Sequence, residues 1–181
     1  VEYAKGAPED ILVKITVFNR GPEPASINLL PTLWFRNIWS LGGDVQKPEL
    51  QQLEGPDSPV IVKVDHSLLN DYYLYCEGKP SLLFTDNDTN TERIFGTENQ
   101  SPYVKDGINN YIVNGREEAV NPNNTGTKVA ANYSITVKPG KSEVIRLRLI
   151  NKHAEVFEPF GEKFENIFAA LKQDADEFYR E

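Results

Sequence analysis

Residues 128–150 read KVAANYSITVKPGKSEVIRLRLI, and this stretch decides the fold class of the chain. Before the turn at Pro139-Gly140, apolar or aromatic residues stand at every second position, at Val129, Ala131, Tyr133, Ile135 and Val137. After the turn, Arg146 and Arg148 alternate with apolar residues. Side chains of a strand point to its two faces in turn, so the pattern predicts two half-buried strands. We interpret them as a strand pair joined across the Pro-Gly turn.

The same pattern recurs towards the N-terminus. Residues 11–18 (ILVKITVF) alternate and are rich in β-branched side chains, which predicts a strand. Pro31 predicts a bend between two further strands, because proline cannot donate to the sheet. The remaining predicted strands lie at 1–4, 26–30, 32–36, 60–65, 72–76 and 81–85, the last two as a hairpin. Seven or more strands followed by one helix predict a mainly β fold, an antiparallel β-sandwich with a C-terminal linker α-helix.

The C-terminal segment changes from strand periodicity to helix periodicity. Between about residues 158 and 179, apolar side chains recur every three or four positions, at Phe160, Phe164, Ile167, Phe168, Leu171, Ala175 and Phe178. This predicts an amphipathic helix whose apolar stripe needs a partner surface. Residues 96–127 contain six glycines and prolines and predict a long loop. We therefore expect a β-sandwich domain at 1–152 and a linker helix at 153–181.

The net charge and the cysteine content limit the kinds of partner that the chain is expected to bind and the kinds of site that it is expected to contain. The 181 residues carry a formal net charge of −8, and an acidic field repels polyanions. Nucleic acid and membrane are therefore not expected partners, and no apolar run approaches the roughly 20 residues of a membrane helix. The one cysteine, Cys76, excludes an intramolecular disulfide and argues against structural zinc. A single thiol favours a reducing compartment such as the cytoplasm, although the localisation stays open.

Residues that commonly carry catalysis or bind metal are sparse. The segment Asp86-Asn87-Asp88-Thr89-Asn90 is similar to a calcium loop, but threonine stands at the sixth and twelfth positions, where glycine and a bidentate glutamate are needed. The chain has two histidines, His66 and His153. Sequence cannot select a pair of carboxylates from 27 acids for glycoside hydrolysis. We predict no catalytic residue, no metal site and no cofactor within this chain.

Two segments concentrate aromatic and polar side chains, a combination that suits sugar rings and their hydroxyls. One is WFRNIW at 34–39 and the other is YVKDGINNY at 103–111, inside the predicted loop. Core packing or an interface with another domain explains these residues as well as a ligand does. The candidate substrate-binding or domain-interface residues are Trp34, Arg36, Trp39, Tyr103, Lys105, Asp106 and Asn109.

These same segments resemble a bacterial group of large glucosidase-like proteins related to glycoside hydrolase family 63. The similar stretches are VKITVFNRGPE at 13–23, LLPTLWFRN at 29–37, LFT at 83–85, ERIFG at 92–96, PYVKDGIN at 102–109, NP at 121–122 with GTK at 126–128, and ADEFY at 175–179. The resemblance covers nearly the whole chain. It implies a β-sandwich of the supersandwich type that precedes an (α/α)6 barrel, and the barrel carries the two catalytic carboxylates.

On this resemblance the chain is expected to be a fragment that begins within a strand and stops at the linker helix. It would be a non-catalytic accessory domain that braces the barrel of the same parent chain and lends loop residues to the substrate site. Two alternatives stay open. One is a free-standing carbohydrate-binding module, and the other is a self-contained enzyme of unknown type. An uncovered apolar surface would favour self-association of the fragment.

Overall fold

The computed structural model describes residues 1–42, 46–55, 59–151 and 158–180. Within these residues the chain is mainly β, as predicted. The strands are β1 (Glu2–Ala7), β2 (Asp10–Phe18), β3 (Ala25–Leu29), β4 (Thr32–Trp34), β5 (Glu49–Gln52), β6 (Val60–His66), β7 (Leu69–Cys76), β8 (Ser81–Thr85), β9 (Thr125–Gly126), β10 (Lys128–Val137) and β11 (Ser142–Ile150). The helices are α1 (Thr91–Phe95), α2 (Gly107–Asn114) and α3 (Glu162–Phe178), with 3-10 turns at Trp39–Leu41 and Glu117–Ala119. None of these helices is both long and apolar enough to cross a membrane.

The strands form two antiparallel sheets. The larger sheet has the order β1-β2-β11-β7-β6-β5-β9. In the smaller sheet β10 pairs with β3 along one half, and with both β4 and β8 along the other half. Pro31 lies between β3 and β4, so the predicted bend is confirmed. Its carbonyl oxygen accepts a hydrogen bond from the Ala131 backbone amide at 3.0 Å, so the residue between β3 and β4 is still bonded to β10.

The core lies between the two sheets, which confirms the predicted sandwich. Side chains from both inner faces form one cluster of buried residues, namely Ile15, Leu50, Val62, Val64, Leu74, Cys76, Phe84, Val129, Ala131, Ile145 and Leu147. Their alternation with more exposed neighbours follows from the period of two along each strand. The burial of apolar surface between the sheets is the main favourable term that holds them together.

Two predicted strand pairings are wrong. Strand β7 pairs with β6 and β11 in the larger sheet, whereas β8 pairs with β10 in the smaller one, so these strands form no hairpin. Likewise, β10 and β11 belong to opposite sheets, and the turn at Pro139-Gly140 connects the two layers. Alternation identifies the buried face of each strand, but two strands that bury their faces against each other show the same alternation as two paired strands.

Helix α3 packs on the outer face of the larger sheet. Phe164 is fully buried against Ala4 and Leu12, with Phe160 and Phe168 beside it. Farther along, Phe178 is 77% exposed, so the apolar stripe of this helix is covered only in its first half. The predicted helix start near residue 158 is early by about one turn. Residues 152–157, which the predicted linker includes, lie outside the described residues.

Charged groups fix the first half of α3 to the sheet. The Glu165 carboxylate accepts hydrogen bonds from the Lys14 ammonium at 2.6 Å and from the Arg146 guanidinium at 3.0 Å. The hydrogen bond from Lys14 is the largest cause that lowers the pKa of Glu165, and Arg146 lowers it further. Arg146 also pairs with Glu77, so one guanidinium ties β11, the turn after β7 and α3 together.

The predicted loop 96–127 is not continuous loop, and this prediction is corrected. It contains α2, a 3-10 turn and β9. Helix α2 spans only eight residues, and one face of it is apolar. Ile108, Tyr111 and Ile112 pack against Leu83 and Ala130 on the outer face of the smaller sheet. A helix this short draws its stability from tertiary packing, so its propensity in the sequence is weak.

Candidate functional site

The helices α1 and α2 lie near each other beside the smaller sheet, and local sequence fixes the start of α1 and the ends of both helices. The Asn90 side chain caps α1 by accepting a hydrogen bond from the Arg93 amide at 3.0 Å. Gly96 and Gly115 end the two helices with positive φ angles of 69° and 66°, which glycine adopts without strain. Asn90 therefore fixes the start of α1, and the two glycines fix the ends of both helices.

The Asp106 carboxylate joins the two helices. Asp106 stands immediately before α2 and accepts hydrogen bonds from the Asn90 side-chain amide on both oxygens, each at 3.2 Å. It also accepts one from the Arg93 guanidinium at 3.2 Å. The Asn99 side-chain amide donates to the Asn90 side-chain oxygen at 3.2 Å, so both ends of the Asn90 amide group have hydrogen-bond partners. Asp106 thus fixes the guanidinium and the amide that border the space between the helices.

A polar cleft of about 560 Å³ lies between α1 and α2. We call it the α1–α2 cleft, and its lining residues are Asn90, Glu92, Arg93, Asn109, Asn110, Asn114 and Arg116. Four of these seven side chains are amides, each of which offers both donors and an acceptor. Such a lining suits hydrogen bonding to a ligand far better than burial of an apolar one.

Trp34 lies at the edge of the same sheet, next to Lys128. These residues are Cα partners in the register of β4 and β10, so their side chains share a face, and Trp34 is 56% exposed. The Lys128 ammonium donates to the Lys105 carbonyl oxygen at 3.0 Å. Burial is the main cause that lowers the pKa of Lys128, the charge of Lys105 lowers it further, and Asp106 opposes this change. Trp34 is therefore connected through Lys128 to the residue next to Asp106.

The predicted candidates have different places in the structure. Lys105 donates from its ammonium group to the Thr89 hydroxyl at 3.1 Å, and Asn109 lines the α1–α2 cleft. Tyr103 is half-buried, and its backbone carbonyl oxygen accepts from the Asp86 backbone amide at 2.7 Å. Arg36 is exposed. Trp39 is half-buried, and its indole N–H has no partner among the described residues.

Asn37 joins the predicted segment 34–39 to the loop before α1. Its amide donates to the Asn87 carbonyl oxygen at 3.3 Å and to the Asp88 carboxylate. The Asn87 amide in turn donates to the Phe35 carbonyl oxygen at 2.8 Å. The segment 34–39 and the loop before α1 are therefore parts of one surface, although no described contact joins Arg36 or Trp39 to the cleft itself.

A second polar cleft, of about 390 Å³, lies where the two sheets approach each other. There the Lys47 ammonium is 3.0 Å from the Asp86 carboxylate, and the buried Thr127 hydroxyl accepts a hydrogen bond from the backbone amide of Asn87 at 2.8 Å. Glu49, Asp65 and Asn121 also line it. Within the described part of the chain no group of three or more His, Cys, Asp or Glu side chains has the arrangement of a metal site.

Sequence reasoning missed most of the cleft lining, namely Asn90, Glu92, Arg93, Asn110, Asn114 and Arg116. Two signals in the sequence point to it. Asn90 followed by Thr-Glu-Arg and then Gly96 is the pattern of a capped short helix. Gly107 and Gly115 enclose apolar residues at 108, 111 and 112, a spacing of three and four that favours a helix with one apolar face.

Comparison with known proteins identifies a distant relative. No protein-family model matches the sequence. The chain is 26% identical over 203 aligned positions to the uncharacterized protein YMR196W of Saccharomyces cerevisiae. The alignment covers 95% of this chain and 19% of the yeast protein. The chain therefore spans about a fifth of the length of this relative, and the similarity extends over nearly all of its own residues.

Proposed function

We propose that this chain is a non-catalytic accessory β-sandwich domain of a larger glycoside hydrolase. In this role it braces an (α/α)6 catalytic barrel of the same parent chain, and the α1–α2 cleft lends side chains to the substrate site. The observation that carries the proposal is a coincidence of position. The glucosidase-like stretches at 92–96 and 102–109 are the same stretches that form α1 and the start of α2, on either side of the polar cleft.

The composition of the cleft supports a binding role. Glycoside hydrolysis by the usual route needs two carboxyl groups that flank the scissile bond. Glu92 is the one carboxylate among the described lining residues. Asp106 is not among the lining residues. It accepts three hydrogen bonds from Asn90 and Arg93, and its role is to hold these two side chains in position. The cleft therefore offers hydrogen bonds to a substrate that is cleaved elsewhere.

The test uses the full-length protein that contains this chain. Asp106→Ala is expected to lower kcat/KM for a gluco-oligosaccharide about tenfold, equivalent to about 1.4 kcal/mol, because Arg93 and Asn90 lose their common anchor. Asp174→Ala, at an exposed position on α3, is the matched control and should leave the rate unchanged. Equal rates for the wild type and Asp106→Ala, with the fold intact by circular dichroism, would refute the role of the cleft.

A free-standing carbohydrate-binding module is the second candidate, and the 56% exposure of Trp34 favours it. An exposed indole next to polar groups is a common stacking surface for a sugar ring. In this case the isolated chain binds gluco-oligosaccharides, its tryptophan fluorescence changes saturably, and Trp34→Ala abolishes the change. Trp39→Phe serves as the control, because Trp39 is the more buried of the two indoles.

A further inference from the structure

We infer that Asn114 is a site of spontaneous deamidation, which converts an amide of the α1–α2 cleft into a carboxylate at a rate set by the opening of α2. Asn114-Gly115 is the one Asn-Gly pair in the sequence. Asn114 is the last residue of α2, and it lines the cleft. The inference concerns the chemistry of this pair, so it does not depend on the ligand that the cleft takes.

The reaction takes place within the two residues, and its only co-reactant is water. The backbone nitrogen of Gly115 loses its proton and attacks the side-chain carbonyl carbon, Cγ, of Asn114. The bond from this carbon to the amide nitrogen breaks, the nitrogen leaves as ammonia, and a succinimide ring remains. Water then opens the ring at either of its carbonyl groups, which leaves aspartate or isoaspartate at position 114.

The glycine favours this reaction. A side chain on residue 115 would crowd the attacking nitrogen, and glycine has none. The space around Gly115 is open, because a Cβ atom built there would meet no atom beyond its chain neighbours within 4 Å. Asn114 and Gly115 are both exposed, so water has access to the ring. The pair therefore has the space and the solvent that the reaction needs.

The closed helix restrains the same pair. The backbone N–H of Gly115 donates to the Asn110 carbonyl oxygen, and the Arg116 N–H donates to that oxygen at 3.2 Å. The Asn114 side-chain amide donates to the Asn110 side-chain oxygen at 3.1 Å. These bonds keep the proton on the attacking nitrogen and hold the Asn114 side chain against the preceding turn. The attack therefore requires the last turn of α2 to open.

The opening of α2 is opposed by a small apolar contact. A helix of eight residues is not stable through its own hydrogen bonds, and Ile108, Tyr111 and Ile112 hold α2 against the smaller sheet. Its last two residues, Val113 and Asn114, are exposed. Exposed helix ends have low local stability, so we expect this turn to open far more often than the whole chain unfolds.

Deamidation changes the cleft in two ways. Either product replaces a neutral amide with a carboxylate, so the hydrogen bond from Asn114 to Asn110 is lost. Isoaspartate also lengthens the main chain by a methylene group, which moves the N–H groups of Gly115 and Arg116 relative to their common acceptor. Arg116 itself lines the cleft. The reaction therefore alters both the charge of the lining and the position of a guanidinium group.

The test follows the chain in mildly alkaline buffer by mass spectrometry of its tryptic peptide 106–116, DGINNYIVNGR. The synthetic peptide of the same sequence is the unprotected reference. In the folded chain we expect the mass gain of an amide-to-carboxylate exchange at Asn114, and not at Asn109 or Asn110, with aspartate and isoaspartate both formed. The rate should be at least about tenfold lower than in the peptide, because α2 is mostly closed. Asn114→Gln cannot form the succinimide and should abolish the gain.

Two matched substitutions test the control by α2. Ile108→Val removes a methylene group from the buried contact of α2 and should raise the rate about fivefold, because it raises the population of the open helix. Ile27→Val makes the same change at an exposed position on β3 and should leave the rate unchanged. Circular dichroism checks that both variants are folded.

Each part of the inference has an outcome that overturns it. Faster conversion at another asparagine, or no conversion at Asn114 in both the wild type and Ile108→Val, overturns the site. A rate in the folded chain equal to that of the peptide, or equal rates in Ile108→Val and the wild type, overturns the control by α2.

Discussion

Arg148 on β11 holds Asp10 on β2 by two parallel hydrogen bonds, at 2.8 and 2.7 Å, in a nearly dry environment. The side chains are 11% and 8% exposed. The guanidinium also lies 3.5 Å from the Pro159 carbonyl oxygen, at the entry to α3. A planar guanidinium matches a carboxylate in this forked geometry, which lysine could not reproduce. The pair therefore links the larger sheet to the segment that leads into α3.

Arg148→Met is expected to lower the free energy of unfolding by about 3–5 kcal/mol, because it leaves the Asp10 carboxylate buried without its partner. The double variant Asp10→Leu/Arg148→Met should recover much of this loss, since it removes both charges from the interior. Urea unfolding measures both effects. Lys63→Met breaks an exposed pair with Asp71 and should cost no more than about 1 kcal/mol. Equal losses for Lys63→Met and Arg148→Met would contradict the prediction.

Gly107 allows α2 to approach the 3-10 turn that follows it. A Cβ atom at this position would lie 2.2 Å from the Ala119 carbonyl oxygen, a backbone atom that cannot swing away. We expect Gly107→Ala to destabilise the chain by about 3 kcal/mol through overpacking, and to raise hydrogen exchange in α2. Gly55→Ala is the matched control, because its Cβ would meet no atom within 4 Å. Unchanged exchange in α2 would show that the turn yields at no cost.

Two phenylalanines of α3 differ in what they contact. Phe164→Ala removes a fully buried ring from the cluster with Ala4 and Leu12, and should cost about 3–5 kcal/mol in the free energy of unfolding. Phe178→Ala removes a ring that is 77% exposed and should change stability by less than about 0.5 kcal/mol. Thermal unfolding of both variants distinguishes them. A large loss in Phe178→Ala would mean that the exposed end of α3 is covered in solution.

The sequence predicts which face of a strand is buried better than it predicts which strands pair with each other. The alternation in 11–18 and 128–137 identifies β2 and β10 and the residues that each strand buries. It cannot reveal that β7 and β8 lie in different sheets, because a four-residue connection can either close a hairpin or cross between layers. Which strands pair depends on how the two sheets pack against each other, and this cannot be determined from the residue pattern of a single strand.

The candidate site shows the same limit at the level of side chains. Asp106 and Asn109 were predicted from a polar, aromatic segment, and Asn109 does line the α1–α2 cleft. Their partners Asn90 and Arg93 come from a different segment, and the hydrogen bonds between them require the fold. Helix α2 was predicted as loop because its glycine ends and asparagine-rich outer face outweigh three apolar residues. Its packing on Leu83 and Ala130 decides the outcome.

Cys76 provides a prediction about pH. Its thiol is fully buried, and burial raises its pKa from 9.0 to about 12. The folded protein therefore keeps the proton that the unfolded chain releases above pH 9, so stability is present below that pH and falls as the pH rises. Tyr133 has an ordinary pKa of 10.0 that burial also raises, so it adds to this fall mainly near and above pH 10.

Between pH 9 and 10 the free energy of unfolding should therefore fall, by up to about 1.4 kcal/mol per pH unit from this thiol. Urea unfolding at these two pH values measures the slope, and Cys76→Ala should flatten it. The same burial predicts that iodoacetamide labels Cys76 only after the chain is unfolded in guanidinium chloride, since the reactive species is the thiolate. Rapid labelling of the folded chain at pH 8 would mean that the interface between the two sheets opens at Cys76. If Cys76→Ala kept the wild-type slope of unfolding free energy against pH, the pH dependence would belong to another group.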